Sequence, residues 1–307
     1  MPLKSVNIIG SGSMGHLWAA YITKQGIPNS LYTNQQAHSK QSQLTSSQES
    51  FVFKANYKQW HDWCDTDLII ICVKCYSLEE VCIQLKQKIN SSSPIILMMN
   101  GMGLVELVES YLTNRLVFQA STTHGVHIQK EKSITLVNHT GMGETLIGYT
   151  SDSTQESTTD NILKDIISDL NICLAPVVFS KHHYETLLVK LYVNSVINPI
   201  TSIYQVKNGA LLEDDVIRAH ALKLTKQLHP LIKQLTPSET WETIWQKIAM
   251  IAENTKKNLS SMYQDLLNKK PTEIEFITGY LLRMSDQHGL DLSEHRHIFN
   301  QVKALEN

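Results

Sequence analysis

The residues best suited to chemistry lie in one stretch, Leu187-Leu188-Val189-Lys190-Leu191-Tyr192-Val193-Asn194-Ser195-Val196-Ile197-Asn198-Pro199. At about 100° per residue, Lys190, Asn194 and Asn198 fall on one stripe of a helix whose flanking positions are apolar. A lysine and two amides are costly to bury without partners, so the stripe faces either solvent or a polar cleft. Asparagine is a poor interior helix former, and two of them at i and i+4 favour the cleft. A lysine ammonium drawn out of water shifts its pKa and can exchange a proton with a substrate. A second polar cluster reads Leu259-Ser260-Ser261-Met262-Tyr263-Gln264-Asp265, followed by Lys270-Pro271-Thr272-Glu273-Ile274-Glu275. Pro271 suits the first turn of a helix, where the dipole favours the Glu273 carboxylate. That capping role accounts for Glu273 without chemistry, and Glu275 reads as solvated.

A third pattern, Gly10-Ser11-Gly12-Ser13-Met14-Gly15, is GxGxxG. Alone it is a weak signal. Here it follows a β-branched run and opens a helical one, the context of a dinucleotide-binding turn. Gly10 allows the tight turn, Gly12 lets the backbone approach a pyrophosphate, and Gly15 lets helix and strand come close. The helix N-terminus stabilises the phosphate charge. A site that prefers NAD usually ends its second strand on Asp or Glu, which binds the ribose hydroxyls. This chain has Thr33 and Asn34 there, no acid before Glu49, and Lys4, Lys24 and Lys40 in the same segment. The segment therefore tolerates a 2′-phosphate and leans to NADP. Lys74 is either a solvated surface lysine or a positive charge near the adenosine phosphate.

These residues need elements to hold them. Residues 4–9, 30–33, 67–73 and 94–99 read as strands, and 14–25 and 78–89 as helices, with Gly26 ending the first. Continuous apolar runs such as Leu68 to Val73 are typical of central parallel strands covered on both faces. The alternation predicts a parallel doubly wound sheet. Residues 116–149 read as short strands, 151–160 as a surface loop, 161–170 as a helix and 175–179 as a last strand. Beyond about Ser180 glycine becomes rare, and helices are expected at 182–198, 214–235, 241–258 and 272–288. The expected architecture is α/β: an N-terminal Rossmann dinucleotide-binding domain, residues 1–180, and a C-terminal all-helical domain, residues 181–307.

Composition excludes other classes. Lys plus Arg is 27 and Asp plus Glu 29, a net charge of −2, which offers no long-range attraction to nucleic acid or anionic membrane. With 42% hydrophobic residues in 307, the chain can bury a core without disulfides or metal. An odd set of five cysteines, Cys64, Cys72, Cys75, Cys82 and Cys173, does not form a secreted disulfide framework. Cys72 and Cys75 have CxxC spacing without a second pair, and read as buried reduced thiols. The N-terminus runs straight into a strand, and no apolar run spans a bilayer. A cytoplasmic protein, monomer or homodimer, is expected.

The sequence resembles the ketopantoate reductase (2-dehydropantoate 2-reductase) family along essentially its whole length. The likeness rests on GSGSMG at Gly10–Gly15, Val73-Lys74, NGMG at Asn100–Gly103 and STTHG at Ser121–Gly125. It extends through KLYVNSVINPIT from Lys190 to Thr201, Asn208-Gly209, SSMYQD from Ser260 to Asp265 and PTEIEFITGYLL from Pro271 to Leu282. The resemblance implies NADPH-dependent reduction of 2-dehydropantoate to (R)-pantoate, a step toward pantothenate and coenzyme A, in a cleft between the two domains. It implies that Lys190 is the general acid and that Glu273 binds a substrate hydroxyl and orders Lys190. Asn194, Asn198 and Ser261 match substrate-binding groups. Asn100 matches a residue near both nicotinamide and substrate. Asn34 departs from the arginine expected for the 2′-phosphate. Two alternatives stand beside this reading: a reductase of another 2-oxo acid, and a sensor that binds NADP without turnover.

Overall fold

The computed structural model describes residues 3–34, 41–131, 133–150 and 157–306. Contacts divide the chain into two units, Met1–Met99 with Leu104–Tyr184, and Asn100–Gly103 with Glu185–Asn307.

The first unit is built on strands β1 (Val6–Ile9), β2 (Asn29–Tyr32), β3 (Gln41–Ser46), β4 (Ser50–Lys54), β5 (Tyr57–Lys58) and β6 (Leu68–Ile71). They are followed by β7 (Ile95–Met98), β8 (Val117–Thr122), β9 (Gly125–Lys130), β10 (Ile134–Gly141), β11 (Thr145–Gly148) and β12 (Val177–Phe179). Its helices are α1 (Ser13–Lys24), α2 (Leu78–Lys88), α3 (Leu104–Tyr111) and α4 (Ser157–Cys173). An eight-stranded sheet runs β12-β11-β8-β7-β6-β1-β2-β5, parallel at every pairing except β11 with β8. Every residue of β1, β6 and β7 is buried, as strands covered on both faces must be.

A second sheet, β4-β3-β10-β9, was not visible in the sequence pattern. Its first hairpin, QSQLTS and SFVFK, is mostly polar, and few of its side chains, such as Ser42, Leu44 and Phe53, turn to the core. Helix α1 is buried from Gly15 to Ile22 because it packs on both sheets, so its amphipathic pattern is lost. Tyr21 carries the contact, ring to ring with Phe51 of β4 and His139 of β10.

A buried polar chain pins the same place. Gly143 N–H donates to His124 Nδ1 at 3.0 Å, which makes that nitrogen an acceptor. His139 Nε2, 3.0 Å away, must then donate to it, and His139 Nδ1 accepts from the Tyr21 hydroxyl at 3.2 Å. Both rings are therefore neutral. Burial, with the neighbouring His139, pushes His124 down to about 4.

The second unit is helical: α5 (His183–Tyr204), α6 (Ala210–Glu213), α7 (Asp215–Gln227), α8 (His229–Leu235), α9 (Trp241–Asn254), α10 (Ser261–Leu267), α11 (Thr278–Gln287) and α12 (Ser293–Leu305). Several boundaries differ from the sequence expectation. Helix α5 passes through Pro199 to Tyr204 instead of stopping at Asn198. Proline removes one backbone bond, but Val196, Ile197 and Ile200 are buried around it and hold the helix. Residues 214–235 form two helices that meet at Leu228, with Pro230 in the first turn of the second. The fourth expected helix does not begin at Thr272: a short 3₁₀ turn, Ile274–Phe276, precedes α11. Helix α9 ends at Asn254, four residues short of the expected end. Helix α4 begins inside the expected loop 151–160 and runs past Leu170 to Cys173; residues 151–156 lie outside the described ones.

Among the described residues no helix is long and apolar enough to cross a membrane, and no group of His, Cys, Asp or Glu could hold a metal ion. The cysteines are free thiols; Cys75, Cys82 and Cys173 are buried, Cys72 half-buried and Cys64 exposed.

The start of α12 has no cap of its own. Gln227 Oε1 of α7 supplies it, accepting from the Glu294 and His295 amides at 3.1 and 3.2 Å and from His295 Nδ1 at 3.1 Å. His295 is fully buried, and burial lowers it to about 3. Histidines held neutral in the fold bind protons only in the unfolded chain, so their stabilisation is present above pH 6.5 and is lost as pH falls. Each of His124 and His295 should withdraw about 1.4 kcal/mol per pH unit below about pH 6. The urea midpoint is expected to fall steadily from pH 6 to pH 5, and His295→Asn to flatten that slope; a slope unchanged by the substitution would contradict a neutral buried His295.

Candidate functional site

In the first unit the turn between β1 and α1 carries the glycines. Gly10 sits at φ +112°, and a Cβ there would lie 2.8 Å from the Cys72 carbonyl group of the neighbouring strand end. A Cβ on Gly15 would lie 1.9 Å from the Gly10 oxygen. Gly12 is different: it is the N-cap of α1, and a Cβ there meets nothing within 4 Å. The fold itself requires Gly10 and Gly15 and does not require Gly12. Ser11 Oγ donates to Thr33 Oγ1 at 2.9 Å, tying the turn to the end of β2.

His16, buried one turn into α1, was not singled out in the sequence. Its Nδ1 lies 2.8 Å from the Gly12 carbonyl and must donate to it, so Nε2 accepts from Tyr57 OH at 2.7 Å. The neutral ring fixes the Gly12 peptide, and burial holds its pKa down. A cavity of about 340 Å³ opens beside this turn, lined by Gly10, Ser11, Thr33, Asn34, Trp60 and Tyr76 among others. Asn34 is exposed at its edge. Ser13 and Met14 form the first turn of α1. Lys74, half-buried, precedes the short turn Cys75–Ser77 and is not among the described residues that line the cavity.

In the second unit α5 presents Lys190 and Asn194 half-buried and Asn198 buried at 7% exposure. Burial lowers the Lys190 ammonium to about 8, and the Glu273 carboxylate partly opposes that fall. Glu273 is itself buried. It does not sit in the first turn of an α-helix, as the sequence suggested. Its carbonyl accepts from Phe276 and Ile277 N–H at 3.0 and 3.1 Å, which starts the 3₁₀ turn, and its carboxylate caps nothing. The preceding Thr272 is held by Glu306 of the chain's last turn, which accepts from the Thr272 amide at 2.7 Å and hydroxyl at 2.6 Å. Lys303 in turn pairs with Glu306 at 2.7 Å.

Two further segments join this framework. Asn100–Gly103 belongs to the same unit; Met102 N–H donates to Phe276 O at 3.2 Å, fixing that segment beside the Glu273 turn. Gly101 and Gly103, at φ +93° and +81°, bend it sharply. On the other side Thr201 Oγ1 of α5 is 2.7 Å from Ser260 Oγ, which caps α10 by accepting from Tyr263 N–H at 3.2 Å. Ser260 is thus the structural serine, buried, while Ser261 is exposed. Neither Glu306 nor Ser260 was legible as a positioning residue, because each is an ordinary terminal or capping side chain until the fold brings its partner close.

Residues 6–152 match the ketopantoate reductase PanE/ApbA family, and residues 183–306 match the PanE/ApbA C-terminal family. The chain is 31% identical over 303 residues to a 2-dehydropantoate 2-reductase of Vibrio cholerae, covering 98% of each. It is 30% identical over 313 residues to one of Bacillus subtilis, covering 98% of this chain and 97% of that protein. Among solved structures, a probable 2-dehydropantoate 2-reductase of Bacillus subtilis has a TM-score of 0.76 at 28% identity, covering 98% of this chain and 99% of that one. A D-mandelate dehydrogenase solved with NADH and anilino(oxo)acetate shares the fold, with a TM-score of 0.85 at 18% identity over 98% of both chains. With its Rossmann-type unit, its helical unit and a family match across both, the chain belongs to the ketopantoate reductase family of oxidoreductases.

Proposed function

We propose that the chain reduces 2-dehydropantoate to (R)-pantoate with NADPH, and that Lys190 gives the proton. One observation carries the reading: a lysine held near pKa 8 on the same helical stripe as two amides, with the Glu273 carboxylate acting on it. Burial of an ammonium costs free energy that the Glu273 carboxylate only partly offsets, and a lysine perturbed in this way is a candidate for chemistry. The named relatives supply the substrate.

The first unit fits a dinucleotide. Gly12 leaves open the space a Cβ would enter, beside a helix N-terminus with no side-chain cap, and a pyrophosphate is the group that such a turn accepts. Gly10, Ser11, Gly12, Ser13, Met14 and Gly15 would hold it, with Asn34 at the ribose and Lys74 reaching the adenosine phosphate. NADPH supplies the hydride for C2 of the keto acid. The lack of an acid at Thr33-Asn34 favours NADPH over NADH.

Lys190 Nζ then donates a proton to the C2 oxygen as its negative charge develops, and the ammonium polarises the carbonyl beforehand. With a pKa near 8 it is still mostly charged at neutral pH, yet is a far better acid than a solvated lysine. Glu273 keeps it charged and accepts from the substrate hydroxyl. Asn194, Asn198, Asn100 and Ser261 offer donors to the substrate carboxylate and hydroxyl. Ser261 suits that role because Ser260, not Ser261, caps α10.

Gly12→Ala should keep the thermal midpoint within a few degrees and weaken NADPH binding at least tenfold, read by quenching of intrinsic fluorescence. Gly15→Ala should instead fail to fold, because its methyl would strike the Gly10 carbonyl. Equal loss of folding in both would remove the argument for a ligand at Gly12.

The acid role is tested by NADPH oxidation with 2-dehydropantoate, beside NADH and a panel of other 2-oxo acids. Lys190→Ala should lose turnover by about 10²–10⁴, the range typical of a lost general acid, while still binding NADPH. In the wild type kcat should decline as pH rises through about 8, where Lys190 loses its proton. Glu273→Gln removes the carboxylate that raises the Lys190 pKa, so the decline should move to lower pH. Near-normal turnover by Lys190→Ala would reject the assignment; a preference for a different 2-oxo acid would replace the substrate, and NADPH binding without turnover of any would favour a sensor.

A further inference from the structure

We infer that Trp60 is a positioning residue that sets the orientation of Asn34 and through it the choice between NADPH and NADH. The inference rests on the reading of the 340 Å³ cavity as the dinucleotide site.

Both residues line that cavity, and Trp60 Nε1 lies 3.1 Å from Asn34 Oδ1. Indole nitrogen can only donate, so the amide oxygen of Asn34 is the atom it engages. The end of Asn34 that Trp60 does not use is the Nδ2 group, which carries two donors. An asparagine free to turn offers a ribose either its acceptor or its donors; this one is biased to offer donors. An acidic residue in the same place would do the opposite, accepting from both ribose hydroxyls and repelling a 2′-phosphate. A fixed donor suits a 2′-substituent that is anionic and accepts.

Trp60 is not a loose surface ring. It stacks on Trp63 with centroids 5.8 Å apart and 23° between planes, and both rings lie against Tyr32, the last residue of β2, at 5.8 and 4.9 Å. The turn Trp60–Asp62 is closed by a capping box of Gln59 and Asp62. Strand β5 fixes its approach, pairing Tyr57 with Leu31 and Lys58 with Tyr32, and Thr33 N–H donates to Lys58 O at 3.1 Å. The short strand β5 thus carries Trp60 to the end of β2 at Asn34. Among the described lining residues the one charged group is Glu80 of α2, which is exposed and accepts from Gln84 at 3.0 Å.

Trp60→Phe keeps an aromatic ring against Tyr32 and Trp63 and deletes the N–H. Its Kd for NADPH is expected to rise about fivefold to tenfold, the size of one lost hydrogen bond, with the Kd for NADH changed less than twofold. Both are read by fluorescence titration without substrate. Asn34→Ala should give the same loss for NADPH, and the double variant no more than either alone, since the two residues act as one unit. Asn34→Asp should reverse the preference. In turnover assays KM for NADPH should carry the effect and kcat should not. Equal weakening of both dinucleotides in Trp60→Phe, or additive losses in the double variant, would overturn the inference. Binding alone decides the matter, so failure to reduce 2-dehydropantoate would count against the proposed substrate and leave this result readable.

Discussion

A lysine ammonium is stable away from water only where something answers its charge. In the helical unit that condition organises the surroundings of Lys190. Glu273 answers the charge, and Glu273 is buried too, so its own placement has to be fixed. A 3₁₀ turn begins on its carbonyl, Thr272 before it is bonded to Glu306, and Lys303 secures Glu306. The path runs from the last turn of the chain back to the middle of α5 without a metal or a disulfide. Two opposing forces meet at the lysine. Burial drives the ammonium toward neutrality and the carboxylate holds the proton on; the balance falls near 8, where a proton donor is strong and still charged.

The nucleotide unit depends on a different constraint, the burial of one helix from two sides. Helix α1 packs on the parallel sheet and on β4, β9 and β10 at once, which leaves its N-terminal turn little freedom. Among the polar groups of α1 admitted to this apolar wedge, His16 and Tyr21 are hydrogen-bonded, whereas the Trp18 indole N–H is buried without a hydrogen-bond partner among the described residues. His16 holds the Gly12 carbonyl, and Tyr21 donates to the neutral pair His139 and His124. His124 Nε2, the donor at the far end of that chain, is buried without a partner among the described residues; a further proton would have to enter at Nδ1, where the Gly143 amide already donates, and burial with His139 alongside holds the pKa down.

Legibility in the sequence followed periodicity. Strands such as Leu68–Ile71 are continuous apolar runs, and the glycine turn was plain from type and spacing. The hairpin Gln41–Lys54 was not, since a sheet that buries only one face with small polar residues on the other leaves little contrast to detect. Pro199 misled in the usual way: local preference ends a helix there, and burial of Ile200 with its neighbours overrides it. In the helical unit Lys190, Asn194 and Asn198 were legible because their types are wrong for a core. Thr272, Glu306 and Ser260 were not, because their roles exist only through residues distant in sequence.

The glycine turn shows how a requirement of the fold separates from a requirement of a ligand. A substitution at Gly10 or Gly15 meets protein atoms, so the fold alone explains both glycines. At Gly12 a methyl meets nothing, and the helix terminus beside it has N–H groups with no side-chain cap. Folding places no demand for glycine there, and the open space beside the helix terminus is what the proposed pyrophosphate would use. Lys190 poses a similar question: burial lowers its pKa and the Glu273 carboxylate only partly opposes that fall, which is why it is proposed as the proton donor. Positions that the fold can account for least are the ones where a catalytic site is to be sought.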